Sequence, residues 1–164
     1  MNYPSLREFI DRLEFENELI RIQEQVSPIL EIAEITDRVS KQPDGGKALL
    51  FENIEGSSMP VLINAFGSKK RMNAALGAYD VEEIAKRIER YLKIPPPVTL
   101  LDKAKLLPML LQAAQFPPKL VGTAKAHCQE VVHLNDDVNL DRIPILQCWP
   151  EDAGRFITLP IVIN

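Results

Sequence analysis

The chain closes on Phe156-Ile157-Thr158-Leu159-Pro160-Ile161-Val162-Ile163-Asn164, which reads as a buried strand with no turn or polar tail after it. A strand carries a row of backbone donors and acceptors and needs a partner for them. Beyond residue 120 the only other strand-like run is Gln129 to His133, followed by the polar turn Asn135-Asp136-Asp137. Two strands do not make an independently stable sheet. The second half therefore reads as an unfinished unit, and the chain as the front part of a longer protein. The alternative is that the last strand joins a sheet built by the first half.

The first half supplies such a sheet. Ser5 caps a helix with Glu8 at the capping-box position, and Leu6, Phe9, Ile10 and Leu13 lie on one helical face. Leu19 to Ile22 reads as a short strand. Pro28 opens a second helix with Ile32, Ile35 and Val39 inward, and Asp44-Gly45-Gly46 is a turn. Ala48 to Phe51 and Pro60 to Asn64 read as two strands, the second starting at a proline that cannot donate to a ladder. Ser68 caps a third helix ending near Gly77. Asp80 caps a fourth, whose inward face is Val81, Ile84, Ala85, Ile88 and Leu92. Pro95-Pro96-Pro97 then excludes helix, and a leucine-rich helix is expected from about Lys103 to Phe116, before Pro117-Pro118. The fold class is α+β: an α/β domain over residues 1–94, a Pro-rich and helical connection over 95–120, and an incomplete unit over 121–164.

Nineteen Lys and Arg against twenty-three Asp and Glu leave a formal charge of −4 over 164 residues, with 46% hydrophobic residues. That combination excludes global disorder. It also lacks the basic footprint of a nucleic-acid binder. The start of the chain has no basic segment followed by an apolar block, and Leu106 to Pro118 is too short and too interrupted to span a bilayer, so a cytoplasmic protein is expected. Two cysteines, Cys128 and Cys148, make no disulfide framework.

The residue chemistry alone assembles no active site. His127, Cys128, His133 and Cys148 could in principle ligate zinc, but their spacing matches no zinc pattern, and neighbours on a strand face opposite ways. Neither cysteine has an orienting partner for nucleophilic work. Lys69-Lys70-Arg71 opens a helix, where it would meet a phosphate or simply be solvated. Gly45-Gly46 lacks the Lys-Ser/Thr of a phosphate loop. Glu82-Glu83 and Asp136-Asp137 suit a helix start and a turn better than an acid/base pair.

Three ordered segments nonetheless form a pattern: Gln129-Glu130-Val131-Val132; the step Leu140-Asp141-Arg142-Ile143-Pro144; and Trp149-Pro150-Glu151-Asp152-Ala153-Gly154 running into Phe156-Ile157-Thr158. This order resembles the UbiD family of decarboxylases. Ser5 to Phe9, Ala48 to Asn53, and Gly67-Ser68 leading to Arg71-Met72 and Ala75-Leu76-Gly77 are similar to that family's N-terminal domain. The details look most like family members assigned to quinone, especially menaquinone, biosynthesis.

The resemblance implies an N-terminal α/β domain followed by the first strands of a flavin-binding split β-barrel. It implies reversible, non-oxidative decarboxylation of an aromatic or α,β-unsaturated carboxylic acid. The implied cofactor is prenylated FMN, with Mn²⁺ and K⁺, supplied by a flavin prenyltransferase. Loss of CO₂ from an sp² carbon leaves an unstabilised carbanion, so a cofactor must act as electron sink. Thr158 matches the family's flavin-contacting threonine. The family's metal set (Asn, His, Glu) and acid/base network (Glu, Arg, Glu) come later, so no catalytic or metal residue carries over. Neither Asn164 nor Arg155 takes such a role. The 164-residue chain alone is expected to be inactive and to bind no cofactor, and the whole protein to be a homo-oligomer, peripheral to a membrane if its substrate is polyprenylated. The alternative is a non-catalytic packing, regulatory or oligomerisation module.

Overall fold

The computed structural model describes residues 3, 5–93, 104, 106–108, 110–111, 120–122 and 125–157. The chain divides into two compact units, one formed by residues 1–85 with 139–164 and the other by residues 86–138.

The first unit is built around one short sheet. Helix α1 (Leu6–Phe15) starts where the Ser5 hydroxyl accepts the Glu8 amide, and it buries Phe9 and Leu13. Strand β1 (Leu19–Ile22) runs parallel to β2 (Ala48–Phe51), pairing Leu19 with Ala48 and Ile22 with Phe51. Parallel neighbours need a crossover, which α2 (Glu31–Ser40) supplies. Strand β3 (Val61–Ile63) returns antiparallel on the far side, giving the order β1-β2-β3. All four residues of β2 are buried, because helices cover both faces of the sheet. Ala48 and Leu50 join Phe9, Leu13 and Leu19 on one face, with Ala74 and Ala75 against them. Leu49 and Phe51 join Val26, Ile32 and Ile54 on the other, with Ile35, Val39 and Leu146 against them. On the outward-facing side of β1, Arg21 reaches Glu14 at 2.8 Å and Glu52 at 2.6 Å.

Helix α3 (Lys69–Leu76) is capped by Ser68, whose hydroxyl accepts the Arg71 amide, and ends on Gly77 at φ 62°. Left-handed backbone there releases the chain at little cost only because the residue is glycine. Helix α4 (Val81–Leu92) starts where Asp80 accepts the Glu82 amide at 3.2 Å. Its apolar stripe is inward only at its start: Val81 and Ile84 are half-buried, whereas Ile88 and Leu92 are exposed.

Two elements differ from the sequence expectation, and two more lie largely outside the described residues. Helix α2 begins at Glu31 rather than at Pro28, because Pro28 and Leu30 are engaged with Gln147. Gln129 to His133 forms no strand: residues His127–Gln129 make a 3-10 turn, and Val131 and Val132 are exposed with no ladder partner among the described residues. Of the final strand only Phe156 and Ile157 are described, and they are not paired as strand; Thr158 to Asn164 lie outside the described residues. The expected leucine-rich helix lies largely outside them too, although Leu106, Leu107, Pro108, Leu110 and Leu111 are helical.

In the second unit, residues 125–138 carry two 3-10 turns, the second at Asn135–Asp137 as the polar triplet implied. His127 Nδ1 lies 2.5 Å from the Glu130 carboxylate, both side chains exposed.

Candidate functional site

Two places in the first unit concentrate polar and concave structure. The first is the start of α3. Arg71, third in the basic cluster, is only 1% exposed. Its Nη1 donates to the Glu18 carboxylate at 3.0 Å and to the Gly46 carbonyl at 2.6 Å, while Nε has no partner. Asn64, at φ 56°, donates to the carbonyls of Gly45 and Lys47 at 2.8 and 2.9 Å. A Cβ on Gly46 would sit 2.0 Å from the Val39 carbonyl oxygen. The turn after α2 is thus clamped onto the start of α3. Burial pushes the Glu18 carboxyl up, the largest single effect, but the hydrogen bonds and positive charges of Lys70 and Arg71 together outweigh it and hold the group below its ordinary value.

A cavity of about 590 Å³ lies over this clamp, lined by Glu18, Asp44, Lys47, Ser68, Lys69 and Lys70 among others. Its cations are engaged: Lys47 with Asn17, Lys69 with Asp80, and Lys70 with Glu18. The basic cluster therefore ties the fold together rather than presenting free charge to an anion.

The second place is the stretch from Asp141 to Ile157. Ser57 donates to the Arg142 carbonyl at 2.9 Å. The Gln147 amide donates to the Pro28 carbonyl, and the Gln147 carbonyl accepts the Leu30 amide at 2.9 Å. The Asp152 carboxylate accepts the amides of Cys148 and Trp149 at 3.2 and 2.9 Å, folding Trp149-Pro150-Glu151-Asp152 into a turn. The Phe156 amide then meets the Leu146 carbonyl. Arg155 pairs with Asp141 at 2.8 Å. Between this turn and α2 runs a groove of about 700 Å³, lined by Leu30, Ala33, Thr36, Ile63, Cys148 and Trp149, with Glu34 and Asp37 on its walls.

Thr158, the expected flavin contact, and Asn164 lie outside the described residues. Among the described residues no three His, Cys, Asp or Glu side chains converge as a metal site. Nor, among them, is any helix long and apolar enough to cross a membrane. Sequence reasoning missed the roles of Gln147 and Asp152. The available signal was an aspartate two residues after a proline, a common turn composition. The burial of Arg71 had no such signal.

Comparison with known proteins assigns this architecture. Residues 10–91 match the family model described as 3-octaprenyl-4-hydroxybenzoate carboxy-lyase N-terminal domain, and residues 119–164 match the carboxy-lyase Rift-related domain. The chain belongs to the UbiD family. An uncharacterized protein of Aquifex aeolicus is 51% identical over 162 residues, covering 99% of this chain and 33% of that protein. One from Archaeoglobus fulgidus is 49% identical over 164 residues, covering 100% of this chain and 32% of the relative. The chain thus spans about a third of the length of these relatives. Among solved structures, an evolved dimeric form of the UbiD-class enzyme HmfF from Pelotomaculum thermopropionicum, in complex with prFMN, superposes with a TM-score of 0.65 at 27% identity, over 93% of this chain and 30% of HmfF. The open form of vanillic acid decarboxylase from Sedimentibacter hydroxybenzoicus gives 0.68 at 26% identity, over 94% and 30%. The α+β fold is that of the N-terminal part of UbiD-class enzymes.

A flavin mononucleotide needs an apolar slab for its ring and unengaged donors for its phosphate. Among the described residues these do not coincide. The cavity at α3 has donors that are already paired, and the groove beside α2 is apolar with acidic walls. The described residues do not themselves form a flavin site.

Proposed function

We propose that the protein of which this chain is part is a carboxy-lyase of the UbiD type, acting reversibly and non-oxidatively on an aromatic or α,β-unsaturated carboxylic acid. The supporting observation is the order of the two family matches along the chain, together with likeness to an enzyme solved with prFMN. In this reading the cofactor is prenylated FMN, delivered by a flavin prenyltransferase and accompanied by Mn²⁺ and K⁺. When bound it supplies the electron sink that decarboxylation at an sp² carbon needs. Thr158 contributes a hydroxyl to the flavin, as a donor or acceptor. The substrate belongs to quinone biosynthesis, the protein is a cytoplasmic homo-oligomer, and the 164-residue chain by itself is inactive.

A second reading is supported by the engaged cations at α3 and the unmatched cavities: the protein is a non-catalytic packing, regulatory or oligomerisation module that binds no cofactor. One experiment separates the two. The complete gene product is co-expressed with a flavin prenyltransferase, and flavin content and substrate-dependent exchange of labelled CO₂ are measured. Bound modified flavin with exchange supports the enzyme, and Thr158→Val then lowers flavin occupancy. A product that binds no flavin and exchanges no CO₂ with any aromatic acid refutes it.

A further inference from the structure

At about 100° per residue, Val81, Ile84, Ala85, Ile88 and Leu92 fall on one side of α4. The later part of that stripe is bare: Ile88 is 53% and Leu92 80% exposed. The start of the helix is held in place. The Asn73 side chain donates to the Tyr79 carbonyl at 2.9 Å and accepts the Val81 amide at 3.1 Å. An isolated helix of this length is marginal in water, and most helical stability comes from packing an apolar face. The stripe of α4 therefore calls for a partner.

Charge selects which partner. The first turn carries Glu82 and Glu83 and no cation, whereas residues 86–93 carry Lys86, Arg87, Arg90 and Lys93 against Glu89 alone. Part of this charge is already engaged. Lys93 pairs with Glu89 four residues before it, and Asp80, ahead of the helix, pairs with Lys69. Glu82, Glu83, Lys86 and Arg87 are exposed, and none of the four is in an ion pair among the described residues, although Glu82 and Lys86, like Glu83 and Arg87, stand four apart. Two copies of α4 laid antiparallel about a two-fold axis near Ala85 and Ile88 bring stripe against stripe. Each acidic first turn then lies beside the other copy's basic second half. A parallel contact would instead set Glu82 and Glu83 against their own copies. An anionic surface is repelled by the same two carboxylates. We infer that α4 is a self-docking surface, paired antiparallel with α4 of a second copy. The inference gives a surface to the homo-oligomer of the reading above; it rests on that clause and not on the carboxy-lyase chemistry.

The test is sedimentation of the 164-residue chain at low salt. One helix of about 18 Å buries less than the about 800 Å² per partner of a stable dimer, so the mass should rise reversibly toward a dimer between about 10 µM and about 0.5 mM. Two variants reverse one end of the helix each: Glu82→Lys with Glu83→Lys, and Lys86→Glu with Arg87→Glu. Each alone sets like charges together and weakens self-association at least about tenfold. Mixed in equal amounts they form a heterodimer, because acid then faces base at both ends. Restoration on mixing separates charge pairing from mere fraying of the helix. Ile88→Asp abolishes association and leaves the unfolding midpoint unchanged, since Ile88 is exposed. A mass that stays monomeric throughout overturns the inference, as does association that Ile88→Asp leaves intact or a mixture that fails to pair. The same variants are then placed in the complete gene product. An oligomer there that ignores all of them overturns the α4 contact and keeps the homo-oligomer. Protection of the α4 amides from hydrogen exchange in a monomeric complete product overturns it in favour of cover by the same chain. A complete product that pairs through α4 by the same charge rule but exchanges no CO₂ keeps the contact and sinks the enzyme.

Discussion

Replacing Arg71 by methionine removes a guanidinium that is 1% exposed while keeping much of its volume. Three contacts disappear: the ion pair to Glu18 at 3.0 Å, the bond to the Gly46 carbonyl at 2.6 Å, and a long, weak bond to the Gly45 carbonyl at 3.5 Å. Hydrogen bonds to charged groups are worth about 1.5–3 kcal/mol each. Two of them at the low end give about 3–4 kcal/mol, and relieving the unpartnered Nε returns about 1 kcal/mol. Glu18 is not orphaned, because Lys70 stays 2.8 Å away and the carboxylate side chain is 20% exposed. The full cost of breaking a buried pair, about 3–5 kcal/mol, therefore does not apply. The expected loss is about 2–3 kcal/mol, read as a lowered urea midpoint at 222 nm and neutral pH. A cycle with Glu18→Gln should show coupling of about 1 kcal/mol. The pH dependence carries a definite sign. Glu18 sits below its ordinary 4.5 when folded, so its contribution is fully present above that value and fades as the pH falls through the folded value. The gap between wild type and Arg71→Met should narrow in acid accordingly. A loss under about 0.5 kcal/mol would place Arg71 among ordinary surface residues and refute the reasoning. A gap that persists undiminished to about pH 2 would show that Arg71 acts by packing rather than by charge.

Ser68→Ala removes the hydroxyl that accepts the Arg71 amide and should cost about 1 kcal/mol in the same titration. Gly46→Ala forces a Cβ to within 2.0 Å of the Val39 carbonyl oxygen at φ 59°; a loss well above 1 kcal/mol is expected, and a neutral thermal midpoint would contradict the clamp. Phe51→Ala empties the centre of the face covered by α2 and should cost about 3–5 kcal/mol, with the far-UV spectrum retained below the midpoint.

Local rules carried the first half of the chain because each element there is specified by its own residues. Ser5 and Ser68 cap as their sequence context implies, and Ala48 to Phe51 is central because nothing polar interrupts it. The α2 boundary was not legible, because Pro28 and Leu30 spend their backbone groups on Gln147, more than a hundred residues away. The same long reach hid the site. Lys69-Lys70-Arg71 reads as surface charge, but whether an arginine is buried depends on Glu18 and the Gly45-Gly46 turn arriving beside it. Gln129 to His133 shows the converse: two adjacent valines express a strand preference that pairing must complete, and no partner meets them among the described residues.

Strand β1 closes one side of the sheet among the described residues, and its outer ladder edge is open. Three of its four residues are leucine or isoleucine, the composition that recruits a stranger's strand. Arg21 interrupts that run, and Glu14 and Glu52 hold it extended across the face. Its weight in stability is small, as for exposed pairs generally. Its consequence is kinetic and collective: the charge keeps one molecule's edge from templating the next while chains are crowded during synthesis.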